Sequence, residues 1–200
     1  SILSAINIDA TRENAQEMYN KYVIDSKIIS GKDLNAEAFN VDIKKEFRDK
    51  NISVSDRNYP LYICEKDGDK YYIIPVVGTG LWGPIWGFVA LESDFKTIYG
   101  ANFDHKSETP GLGAEVDNPN WKKLWNGKKV FDENGLVQIS VIKGFSNPQS
   151  TDYSYEVDGL SGATITSKGV SNLLAFWLGD EGFGPFINNL KNKEMKLSDV

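Results

Sequence analysis

Cysteine and histidine are almost missing from this chain: one of each stands among 200 residues. A single thiol, Cys64, closes no internal disulfide and builds no thiolate metal site. Its place in the apolar run Leu61-Tyr62-Ile63-Cys64 reads as a small buried hydrophobe. A single imidazole, His105, excludes a His-cluster metal centre and leaves no second ring for a proton relay. Clustered positive charge is also lacking. The net charge is −6, and no basic stretch is long enough to follow a phosphate backbone, which argues against nucleic-acid binding. Repeats, low-complexity tracts and linker-like shifts in composition are absent too.

An unbroken apolar helix is the next absence. Residues 71–91, YYIIPVVGTGLWGPIWGFVAL, run uncharged for the ~20 residues that a membrane-spanning helix needs. Yet Pro75, Pro84 and glycines 78, 80, 83 and 87 lie inside the run. Each proline costs about 3 kcal/mol in a helix interior and each glycine about 1, so the stretch reads as strand, loop and strand. The first residues, SILSAINIDATREN, show no basic n-region and no long apolar run, hence no signal peptide or anchor.

What is present is an ordinary globular composition, 40% hydrophobic and 25% charged, on a length that suits one domain or at most two small ones. Ala10, Ala15, Met18, Tyr19, Tyr22 and Val23 predict an amphipathic helix over 10–24, and 33–48 carries a weaker helical pattern. From Tyr59 the character turns to strand. YPLYICEK and KYYIIPVV flank Asp67-Gly68, a hairpin signal, and 85–92 and 96–106 read as the next two strands. A turn-rich loop (107–119) leads to a short helix with Trp121, Leu124 and Trp125, then to two short strands around Asn134-Gly135. A helix over 169–178 ending at Gly179, and a last one from Pro185, close the pattern. The expectation is an α+β fold, one domain with a mostly antiparallel central sheet and helices at both chain ends. A helical segment, 1–58, would pack on the unit formed by 59–200.

Three stretches carry chemistry. DGLSGATITS, 158–167, puts an acid, two glycines and four hydroxyls ahead of an apolar helix. Ser, Thr and Asp there suit a helix cap. The same N-terminus also suits a phosphate, held by free N–H groups and the positive end of the helix dipole. Gly162 and Ala163 would let a bulky group come close to the backbone. Spacing alone leaves both readings open. The absence of Lys or Arg within the loop excludes a Walker-type nucleotide site. ETPGLG, 108–113, is a turn that presents Leu112 between two glycines. Trp82 and Trp86 fit core packing or the walls of a flat apolar ligand. The acid–base inventory of Glu108, Glu115, Asp158 and His105 pairs no nucleophile with a base.

DGLSGAT, 158–164, resembles the acid-x-x-Ser/Thr-Gly-Ala-Thr motif of bacterial proteins that carry covalent FMN. ETPGLGAEVDNPNWKKLWNGKKV, 108–130, is similar to the C subunit of the sodium-translocating NADH:quinone reductases, and GLWGPIWGFVAL, 80–91, fits as well. The related G subunit of the Rnf complex shares the ETPGLG element. The resemblance covers roughly residues 59–178, so 59–200 is expected to be an FMN-binding domain.

The resemblance implies a phosphoester from FMN to Thr164, made by a flavin transferase. Ser161, Gly162, Ala163 and Thr166 would surround the phosphate, with Ser161 and Thr166 as hydrogen-bond donors, and Asp158 would serve the attachment step. Glu108, Thr109, Leu112, Gly113 and Trp82 would form the flavin site, with apolar walls from Leu112, Thr109 and Trp82. No catalytic residue and no metal are expected. The chain would relay single electrons among the other subunits of a sodium-pumping NADH:quinone oxidoreductase in the bacterial inner membrane, without independent catalysis. Family members carry an N-terminal transmembrane helix. The resemblance thus places this soluble domain on the periplasmic side, anchored through a helix that this chain lacks. The alternatives are an Rnf-type G subunit and, from another class, a non-redox extracytoplasmic binding module in which SGAT is only a cap.

Overall fold

A meander dictates the architecture. In the computed structural model, which describes residues 1–198 and side chains through residue 192, the chain opens with helices α1 (Ile2–Ala5) and α2 (Ala15–Tyr22). Strand β1 (Val23–Ile28) and helix α3 (Ile43–Arg48) come next. Then β2 (Pro60–Lys66), β3 (Asp69–Thr79), β4 (Pro84–Leu91) and β5 (Ile98–His105) pair in sequence order, each antiparallel to the last. The β2–β3 turn holds Asp67 at φ 53° and Gly68 at φ 86°, the double positive φ that a two-residue hairpin of matching twist requires. Residues 199 and 200, the last two of the expected 59–200 unit, lie outside the described residues.

Both faces of the sheet are covered, so β3 is buried over most of its length and β4 has no exposed residue, alternating only between half-buried and buried. On β3, Tyr71 and Ile73 join a cluster with Ile2, Leu3, Ala5 and Ile6. Ile74 and Val76 face the larger cluster, to which helix α5 (Thr164–Leu178) contributes Val170, Leu173, Leu174 and Trp177. Trp177 is pinned there by a 2.6 Å hydrogen bond from its Nε1 to the Val77 carbonyl. Helix α4 (Pro119–Lys123) sits beside β5, where Trp121, Trp125 and Phe103 pack ring to ring. Helix α6 (Gly184–Ser198) follows α5. Among the described residues no helix is long and apolar enough to cross a membrane.

The architecture is the expected α+β one, but local boundaries differ. The helix expected over 10–24 stops at Tyr22, and Val23–Ile28 pairs with β2 as an edge strand, from Val23↔Cys64 to Ile28↔Pro60. Four of its six side chains are exposed, so no alternation marks it in the sequence. Its ladder crosses the boundary placed between residues 58 and 59. Of 33–48, only Ile43–Arg48 is α-helical, after a 3-10 turn at Ala38–Asn40. Around Asn134-Gly135 there is a single bridge, Phe131↔Val137. Beyond it β6 (Ser140–Val141) runs parallel to β7 (Glu156–Val157). Helix α5 begins at Thr164, five residues before the sequence pattern starts it.

Candidate functional site

The three stretches meet around one carboxylate. Glu108 is 4% exposed. Its Oε1 accepts the Trp82 N–H at 2.8 Å and its Oε2 accepts the Thr166 hydroxyl at 2.5 Å. Its own N–H donates to His105 Nδ1 at 3.1 Å. Burial pushes the Glu108 carboxyl up. The hydrogen bonds from Thr166 and from the N–H groups of Trp82, Leu81 and Gly83 outweigh that and leave it below its ordinary value. Small residues make this closeness feasible: a Cβ on Gly80 or on Gly113 would come within 2.5 Å of the carboxylate. GLWG, ETPGLG and SGATIT are thus tied to one another through Glu108.

Helix α5 begins beside this tie. Its N-cap position is Ala163, which offers no side-chain hydrogen bond, and its first turn holds no acidic residue. The first helical bond runs from the Ser167 N–H to the Ala163 carbonyl. Among the described residues, the N–H groups of Thr164, Ile165 and Thr166 find no acceptor. The hydroxyls that suggest a cap do other work. Thr166 serves Glu108, and Ser167 Oγ accepts the Leu160 N–H at 3.1 Å. Ser161 and Thr164 are exposed. This 15-residue helix therefore presents an open, electropositive end with the Thr164 hydroxyl on its first residue. The turn into it needs a left-handed Gly162, at φ 68°, and a Cβ there would also meet Leu112 Cδ2 at 2.7 Å.

A cavity of about 400 Å³ opens beside that end. Thr164, Gly162, Leu160 and Lys168 line one side, and Lys143 and Phe145 another. Phe145 is the most exposed large hydrophobic residue described, at 88%. An anion at Thr164 would find three free N–H donors and two lysines around the same space, and an apolar ring would find Leu160 and Phe145. These residues fit a phosphate-tethered flat cofactor.

The expected residues fall into distinct places. Leu112 lies against Gly162, 41% exposed, and Trp82 stands 65% exposed in the β3–β4 turn. Thr109 is exposed at the ETPGLG turn, where its carbonyl accepts the Leu112 and Ala114 N–H groups. The Thr166 hydroxyl donates its one proton to Glu108, and the side chain is buried. Glu108 lies behind Gly80 and Gly113, with its carboxylate turned to Trp82 and Thr166. Asp158 turns toward Ser146, whose N–H and hydroxyl both donate to its Oδ1, while its carbonyl accepts from Trp121 Nε1.

Trp86 lies in β4 with the Lys44 ammonium 3.7 Å from its ring centroid, and it does not line the cavity beside Thr164. His105, with Nδ1 taken by Glu108 and Nε2 3.9 Å from Asp117, forms no relay. Sequence reasoning missed Lys143, Phe145 and Lys168. Only Lys168, one turn after Thr164 on the same helix face, was within reach of a spacing argument.

The chain is similar to known proteins. The FMN-binding domain family matches residues 80–179. The C subunit of the Na(+)-translocating NADH-quinone reductase of Pseudomonas aeruginosa is 49% identical over 72% of this chain. The match spans 55% of that relative's length. The corresponding C subunit of Vibrio parahaemolyticus is 37% identical over 96% of this chain and 80% of its own length. Two solved structures share the fold. The C subunit of the Parabacteroides distasonis reductase has TM-score 0.79 and 36% identity over 93% of this chain and 88% of that one. Shewanella oneidensis NqrC has TM-score 0.81 and 29% identity over 96% and 94%.

Proposed function

The chain belongs to the C-subunit family of the Na(+)-translocating NADH-quinone reductases and carries its FMN-binding domain, and from that premise we propose that it holds FMN covalently on Thr164 as an electron-relay subunit. The observation that carries the reading is the start of α5. An exposed hydroxyl stands on the first residue of a helix that has no cap and no first-turn acid. Three backbone N–H groups there lack acceptors among the described residues, which is the arrangement a phosphoester monoanion needs.

When bound, FMN supplies one-electron chemistry in a carrier that never dissociates. The chain's own residues do the rest. Thr164 Oγ would bear the phosphate, with the N–H groups of Thr164, Ile165 and Thr166 beside the charge. Lys143 and Lys168 would add positive charge around the same cavity. Ser161 is the remaining exposed hydroxyl of the loop and a donor for a phosphate oxygen. Leu112 and Trp82 would offer apolar surface on the ETPGLG side. Glu108, through Thr166 and Trp82, would keep these segments in register. Among the described residues near Thr164, no nucleophile is paired with a base. The work of the chain would therefore be positioning within a membrane-bound, sodium-transporting complex, on its periplasmic side, after loading by a flavin transferase.

The test is an intact mass under denaturing conditions after co-expression with a flavin transferase, followed by peptide mapping across residues 152–168. A gain of FMN less one water on Thr164 is the expected result. An unmodified mass, or the gain on another residue, overturns the assignment.

A further inference from the structure

The acid of the DGLSGAT motif does not face the hydroxyl it accompanies. One oxygen of Asp158, Oδ1, accepts both the N–H of Ser146 at 2.8 Å and its hydroxyl at 2.7 Å. The two segments are zipped together on either side of this clamp. The Ile142 N–H donates to the Val157 carbonyl and the Gly159 N–H to the Gly144 carbonyl, continuing the parallel β6–β7 pair. They lie so close at residue 159 that a Cβ there would come within 2.2 Å of the Ile142 carbonyl oxygen. The Trp121 indole N–H holds the Asp158 carbonyl from behind. Between the clamped points stands Phe145, 88% exposed, in the wall of the cavity that Thr164 and Lys168 line from the other side. Lys143 belongs to the same wall. An aromatic ring left in water while its neighbours are fixed lacks its packing partner, and the cavity it borders is of a size for one.

We propose that Asp158 is a positioning residue, which through Ser146 fixes the 143–146 loop so that Phe145 and Lys143 form the aromatic and cationic wall of the flavin's seat. This rests on the reading of Thr164 as the FMN anchor. Asp158 then acts as a hydrogen-bond acceptor, and its negative charge is dispensable to the attachment step. Asparagine keeps an Oδ1 that accepts from both Ser146 groups, whereas alanine removes it.

The full chain and four variants, each co-expressed with a flavin transferase, separate the possibilities. The measurements are flavin per chain by intact mass, and the fluorescence and visible circular dichroism of the loaded protein. Asp158→Asn should load within twofold of the unsubstituted chain and match its spectra. Asp158→Ala and Ser146→Ala should load less, or carry a flavin with weakened circular dichroism. Phe145→Ala removes only an exposed side chain. It should load on Thr164 yet carry a flavin with weakened visible circular dichroism, because the aromatic wall that fixes the ring in one orientation is gone. Loading of Asp158→Asn as poor as that of Asp158→Ala overturns the inference, since charge would then be what matters. Spectra of Phe145→Ala identical to those of the unsubstituted chain overturn it as well. An unsubstituted chain that takes no flavin overturns the underlying reading, and this inference with it.

Discussion

The Thr166 hydroxyl reaches the Glu108 carboxylate at 2.5 Å across 58 residues of sequence. That one bond joins the first turn of α5 to the ETPGLG loop, and the same carboxylate holds the β3–β4 turn through Trp82. Replacing Glu108 by alanine orphans several buried donors at once. Since a buried donor left unsatisfied costs about 1–3 kcal/mol, urea unfolding should show a loss at or above the top of that range. Thr166→Val, which removes one donor and leaves the others, should lose less.

Acid should weaken the same tie. Glu108 titrates below its ordinary 4.5 when folded and near that value when unfolded. The ionised group therefore contributes stability that is fully present above the unfolded value and lost as pH falls through the folded one. Chemical denaturation from roughly pH 6 down to about 3 should show a steeper loss for the unsubstituted chain than for Glu108→Gln, which has no proton to take up at this position. Parallel curves would remove Glu108 from the acid response.

Thr164→Val tests the anchor without disturbing the frame. The side chain is exposed and takes no side-chain hydrogen bond among the described residues, and such substitutions stay within about 0.5 kcal/mol. The variant should keep its melting temperature and take up no flavin when the transferase is present. Flavin that survives denaturation of this variant would locate the attachment elsewhere.

Cys64 should be inert. It is fully buried against the N-terminal cluster, and burial pushes its thiol up to about 12, so almost no thiolate exists at neutral pH. A thiol reagent should label the native chain far more slowly than the urea-unfolded chain. Equal rates would show that the cluster opens readily.

Trp177→Phe removes the indole N–H that serves the Val77 carbonyl and leaves that buried acceptor unpaired, at a cost of about 1–3 kcal/mol plus some packing. Equilibrium unfolding should show that loss with an unchanged dependence on denaturant. A stability equal to that of the unsubstituted chain would mean that water or a shifted neighbour replaces the indole.

The central meander was plain in the sequence because each strand carries its own turn chemistry. Asp67-Gly68 accepts two left-handed residues, and the uncharged run breaks at Gly80 and Gly83 between β3 and β4. β1 was hidden because an edge strand with a solvated face needs no alternation, and its Val23-Ile24 start continues a helical pattern. β6 and β7, two residues each, fall below any periodic signal.

The candidate site divides along similar lines. Its anchor and its glycines could be read from a motif, whereas the duties of its hydroxyls could not. Thr166 and Ser167 look like caps, yet they point inward to Glu108 and to the Leu160 N–H, and only tertiary packing decides that. Phe145 and Lys143 join the site through the β6–β7 pairing, a contact between segments 16 residues apart in their registers. No local pattern records such an approach.

The sheet is ordered as the chain is ordered, and β2 to β5 meet their neighbours over short loops. The contacts around Thr164 are of another kind. They need α5 seated on β3, with Trp177 bonded to a carbonyl 100 positions away, and Glu108 joined to Thr166. Closures of that length form only with the whole domain in place. In an unfinished chain Thr164 is one hydroxyl among many on a loose segment. In a finished one it stands at an open helix end, so the accessible landmark an attaching enzyme would read is also a certificate that folding is complete.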